Sequence, residues 1–186
     1  MGTSDDQRQM ITFYGFYTYD WNESFGTIIN THYLLERDYI SEGCSTLDSS
    51  EASVTHQFLY PHHIKKIFYI EGRLQGEICI AASGGTATVT DFRVTLCSMN
   101  DDTLDDTELA STGTWDVNDT LEWDSGLGIG EEVVYHYWID IWEQQELNEH
   151  ERLYLKIEVT CDQYALLMHS NDKSWTDVWC EIPFVM

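Results

Sequence analysis

The stretch RLYLKIEVTCD, residues Arg152 to Asp162, alternates without a break. Leu153, Leu155, Ile157, Val159 and Cys161 fall on one side, and Tyr154, Lys156, Glu158, Thr160 and Asp162 on the other. A period of two puts successive side chains on opposite faces of an extended chain, so this is a half-buried β-strand. Working outward, Phe92, Val94 and Leu96 alternate with Asp91, Arg93 and Thr95 in the same way. Glu131 to Glu143 is bulky on both faces: Tyr135, Tyr137, Ile139 and Ile141 oppose Val134, His136, Trp138 and Trp142. It reads as a central strand with its second face turned toward a neighbouring molecule.

Further strands are expected at Ile11 to Tyr19, Thr27 to Leu35, Val54 to Tyr60, Ile64 to Leu74, Glu77 to Ala82, Tyr164 to His169 and Asp177 to Val185. The breaks carry turn chemistry: Ser83-Gly84-Gly85, Asn100-Asp101-Asp102, Asp124-Ser125-Gly126 and Asn171-Asp172-Lys173. Glu143 to Glu151 is the best helical stretch, and its short span suits a loop better. Long crossovers are expected at Glu36 to Ala52 and Ser98 to Thr114. These features predict an all-β chain: an antiparallel β-sandwich, a single jelly roll of about eight strands, over residues 10–186. Residues 1–9 are polar and read as a flexible arm, unlike a signal peptide.

Charge narrows the function. The 186 residues hold 33 acidic side chains against 9 basic ones, a formal net charge of −24. Phosphate contacts need Lys and Arg, so such a surface repels nucleic acid and anionic lipid. It also repels itself until salt screens it. The composition fits adaptation to high salt, or an acidic protein that binds Ca²⁺ or a basic partner. No apolar run approaches the ~18 residues of a membrane-spanning helix.

Catalytic and metal motifs are missing from the pattern. Asp101, Asp102, Asp105, Asp106 and Glu108 gather carboxylates that suit Ca²⁺, but out of register with an EF-hand, so a solvated loop is the better reading. The seven histidines show no His-Glu-x-x-His spacing, and no Gly-x-Ser-x-Gly precedes a helix. Gly126, Gly128 and Gly130 lead into a strand, which is not the context of a phosphate-binding loop. No cofactor is implied. Cys44, Cys79, Cys97, Cys161 and Cys180 form no Cys-x-x-Cys pair. They read as buried small residues or, with Cys44 and Cys180 as candidates, as inter-subunit disulfides. Of seven tryptophans, Trp138, Trp142, Trp175 and Trp179 are the candidate interface aromatics. Stacking of such rings on sugars is the competing use.

An acidic, lysine-poor, aromatic-rich single β-domain of this length resembles the single (vertical) jelly-roll major capsid proteins of icosahedral viruses. It resembles most the smaller of the two capsid proteins of haloarchaeal viruses with an internal membrane. The resemblance implies a non-enzymatic virion protein that forms homo-oligomers and pairs with a related capsid protein. It implies a shell assembled in the host cytoplasm, near the internal membrane without spanning it, and out of contact with the genome. The alternative is a carbohydrate- or protein-binding β-sandwich of a virion spike or tail, or a secreted one.

Overall fold

The computed structural model describes residues 8–22, 27–35, 44–46, 54–60, 64–82, 85–100, 102–103, 105–127, 129–161, 165–168 and 178–185. Among them the regular structure is all strand: β1 (Arg8–Asn22), β2 (Thr27–Leu35), β3 (Cys44–Thr46), β4 (Val54–Leu59), β5 (Phe68–Ala82), β6 (Ala87–Asn100), β7 (Asp106–Ser111), β8 (Trp115–Leu121), β9 (Trp123–Asp124), β10 (Ile129–Gly130), β11 (Glu132–Leu147), β12 (Glu151–Cys161), β13 (Ala165–Met168) and β14 (Trp179–Val185). The antiparallel sandwich expected from the alternation is the fold. One leaf is built on β5, flanked by β11 along one edge and by β14 and β13 along the other. The other leaf is built on β6, with β12 and then β4 on one edge and β7 and β8 on the other. β1 joins them, pairing β14 through Arg8–Tyr14 and β2 through Tyr14–Asn22. A short parallel contact of β2 with β4 completes the link.

The inner faces meet in one apolar core. Leu153, Leu155, Ile157 and Val159 of β12 are fully buried with Phe92, Val94 and Leu96 of β6. Opposite them lie Leu74 and Ile78 of β5, Tyr137 and Ile139 of β11, and Ile182 of β14. Phe92 and Tyr135 bridge the leaves with ring centroids 5.1 Å apart.

Several boundaries differ from the sequence reading, each for a local reason. There are fourteen strand segments among the described residues rather than about eight. Arg8 and Gln9, assigned to an arm, already pair with Val185 and Phe184. The expected break between Leu74 and Glu77 is absent: β5 runs Phe68–Ala82 because β11 pairs it from Phe68 to Ala81, Gly76 included, across one irregularity between Ile141 and Gln145. Glu143 to Glu151 is neither helix nor simple loop: β11 runs to Leu147, and a turn with His150 at φ 71° leads into β12. Ser98 to Thr114 is a hairpin and not a long crossover. There the Asn100 side-chain oxygen accepts bonds from the Asp102 and Thr103 amides at 2.9 and 3.2 Å, turning the chain into β7. β11 is an edge strand of its leaf rather than a central one, with β5 as its ladder partner.

Candidate functional site

In an antiparallel ladder, directly opposite residues project from the same face. Register therefore places Arg73, Gln75 and Glu77 of β5 beside Asp140, Trp138 and His136 of β11. On the other edge of β5, Trp179 stands opposite Glu77 and Glu181 opposite Gln75. These eight side chains share the outer face of the β5 leaf, and all but Asp140 and Glu181 line a cleft of ≈ 290 Å³ floored by Gly76 and Tyr137.

The face is tied together by directed bonds. Trp179 Nε1 donates to Glu77 Oε2 at 2.7 Å, and His136 Nδ1 lies 2.7 Å from Glu77 Oε1. The two partners cover the carboxylate, whose side chain is only 11% exposed although it sits on an outer face. Arg73 donates to both Asp140 oxygens, at 2.7 and 3.2 Å, and this bonding raises the guanidinium pKa further. Gln75 donates to Glu181 at 2.8 Å. The Arg73 guanidinium lies 5.9 Å from the Trp138 ring centre, and Trp115 of β8 meets that ring edge-on at 4.8 Å. Trp138 is thus held from two sides while remaining 47% exposed, and Trp142, further along β11, is 82% exposed.

The outer face of the other leaf differs in kind. Register aligns Lys156, Glu158 and Thr160 of β12 with Thr95, Arg93 and Asp91 of β6. Their contacts are polar: Lys156–Glu158 at 3.0 Å, Arg93–Glu108 at 2.9 Å, and Thr160 donating to Asp91 at 2.9 Å. No aromatic residue stands in these three rows. The next row on that face holds Tyr154, which is buried at 4% exposure, so the exposed tryptophan of these two faces is on the β5 leaf.

Of the residues expected at an interface, Trp138 stands on this face, Trp142 is exposed further along β11 in the irregularity between Ile141 and Gln145, and Trp179 borders the cleft, half-buried under its bond to Glu77. Trp175 lies outside the described residues. Arg73, Gln75, Glu77, Asp140 and Glu181 carried no separate signal in the sequence. Their meeting depends on a register between segments about 60 to 100 residues apart. Cys180 corrects an expectation: it is fully buried in the core, where burial raises its thiol pKa, so it is not placed to cross-link subunits. Cys44 lies in β3, and its side chain is outside the described residues. Cys79, Cys97 and Cys161 are buried, as the simpler reading of the cysteines held. Cys180 is accordingly expected to react with a thiol-specific reagent only in denaturant, which peptide mapping would check.

Among the described residues no group of three or more His, Cys, Asp and Glu converges as a metal site. Asp102, Asp105 and Asp106 serve the β6–β7 turn, and Asp101 lies outside the described residues. Likewise, among the described residues no helix is long and apolar enough to cross a membrane.

No protein-family model matches the chain. No curated protein matches it either. Solved structures do: two crystal structures of a CocE/NonD family hydrolase from Staphylococcus aureus superpose with TM-scores of 0.59 and 0.56, at 11% and 10% sequence identity. Each alignment covers 96% of this chain but 37% of the hydrolase chain, so the chain spans well under half of those proteins. At that identity the likeness is one of fold, an antiparallel β-sandwich that elsewhere forms part of a larger protein.

Proposed function

We propose that the protein is a non-catalytic β-sandwich subunit of a virion shell, assembling with its own copies and a related capsid protein through the Trp138–Trp142 face of β11. The observation that supports this best is Trp142, a large aromatic left 82% exposed on the same edge strand as half-exposed Trp138. Exposed aromatics clustered on one face supply contact area at protein interfaces, where they are enriched. The net charge of −24 fits a subunit whose lateral contacts form once salt screens mutual repulsion. It also fits a shell separated from its genome by a membrane.

A second reading has its own observation. The cleft beside Trp138, with its bonded carboxylates, favours a carbohydrate- or protein-binding module of a spike, tail or secreted protein. Negative-stain electron microscopy of concentrated protein in molar and in dilute salt separates the two. Rings or regular arrays in molar salt are the expected result for a shell subunit. Dispersed single particles in both conditions would turn the assignment to the binding module.

A further inference from the structure

We propose that the cleft on the outer face of the β5 leaf is a binding site for an uncharged oligosaccharide, with Trp138 as the platform on which a sugar ring lies. The proposal deepens the second reading above and rests on it rather than on assembly: the cleft opens on the β14 side of Trp138, while Trp142 lies further along β11.

A sugar presents two chemistries at once: a patch of C–H groups on the ring face, and hydroxyls around its rim that both donate and accept hydrogen bonds. Its site must therefore pair a flat aromatic surface with polar groups whose positions are set before binding, because ordering them on binding costs affinity. The cleft has both. Trp138 packs against Trp115, with ring centroids 4.8 Å apart, and has the Arg73 guanidinium 5.9 Å from its ring centre, yet stays 47% exposed, so the ring is positioned before a ligand arrives while part of it stays open. Glu77 is held by Trp179 and His136 at 2.7 Å each, and Asp140 by Arg73 at 2.7 and 3.2 Å. The polar groups left open in the lining are Arg73, 57% exposed, and Gln75, while Asp140, bonded to Arg73 and 26% exposed, keeps acceptor capacity because a carboxylate oxygen accepts more than one hydrogen bond. Gln75 lies between Glu77 and Asp140, bonded to Glu181 at 2.8 Å.

The charge pattern selects among sugars. Arg73 faces Asp140, while Glu77 and Glu181 add carboxylates on a molecule of net charge −24. Uronate, sulfated and sialylated chains meet repulsion there, whereas neutral hexoses and N-acetylhexosamines do not. The position of the cleft on a broad sheet face suits an internal run of sugars along a chain better than a single residue buried at its end.

The test is titration of the full chain, by calorimetry and by tryptophan fluorescence, with neutral hexasaccharides of β-1,4-glucose, α-1,4-glucose, β-1,4-N-acetylglucosamine and β-1,4-mannose, and with a hexauronate. At least one neutral hexasaccharide is expected to bind with a Kd of about 1 mM or tighter, and the hexauronate is expected not to. Trp138→Ala should weaken binding by about tenfold or more, and Trp138→Tyr, which keeps a ring, should restore much of it. Trp142→Glu should leave it within about twofold, which separates this site from the assembly contact. The proposal is overturned if no neutral hexasaccharide binds, if the hexauronate binds as well as they do, or if Trp138→Ala binds like the parent protein.

Discussion

Gly76→Ala should destabilise the fold by about 3 kcal/mol or more, the upper end of the range for overpacking a core. Gly76 sits at the middle of β5, where Tyr137 of β11 is its partner on one side and Cys180 of β14 on the other. A methyl group there would lie 2.6 Å from the Tyr137 hydroxyl oxygen and 2.7 Å from its ring carbon, and against the Trp179 carbonyl oxygen. Tyr137 is fully buried, and its hydroxyl donates to that same carbonyl at 3.4 Å, so neither neighbour has room to retreat. Urea unfolding would show a lower midpoint, and fluorescence would report a changed Trp179 environment. A midpoint equal to the parent's would mean that β5, β11 and β14 do not pack this closely.

The second large effect lies in the opposite leaf. Leu155→Ala should cost about 2–5 kcal/mol, the range for deleting a buried leucine side chain. Leu155 is wholly buried at the centre of β12, with Phe58 of β4 on one side and Leu96 of β6 on the other, both also at 0% exposure. Three interior strands surround the cavity that truncation would leave, so little can collapse into it. Denaturant midpoint again measures the loss. A cost below about 1 kcal/mol, typical of a surface site, would place this face of β12 outside the core.

The contrast between these positions shows what the sequence makes legible. β12 was readable to within a residue because one face is core and the other is solvated, so burial writes itself into the alternation. The limits of β2, Thr27–Leu35, also agree with the sequence reading. β11 misleads about its place in the sheet, because bulk on both faces suggests a central strand, whereas Trp138 and Trp142 are exposed on a strand whose ladder partner, among the described residues, is β5 alone. β8 was missed although Trp115, Val117 and Leu121 lie on its more buried side. Its Asp116, Asn118 and Asp119 carry turn chemistry that masks the period, and Asn118 does adopt a positive φ of 56°. The candidate site was the least legible part. Its tryptophans were visible as residues, but Glu77, His136 and Trp179 meet only through the registers of two ladders. Nothing local in the chain specifies those registers.

The same distinction bears on the cysteines. An odd number of them suggested cross-links, whereas the fold uses Cys79, Cys97, Cys161 and Cys180 as small core residues. The side chain of Cys44, the other cross-link candidate, lies outside the described residues.

Light scattering on the purified chain, parent and Trp142→Glu, in dilute and in molar salt, is the most direct test of assembly through the β11 face. The parent should have a defined mass of a dimer or larger in molar salt, and Trp142→Glu should stay monomeric there with an unchanged melting temperature. A parent protein that is monomeric at every salt concentration, or a Trp142→Glu variant that assembles like the parent, would contradict it.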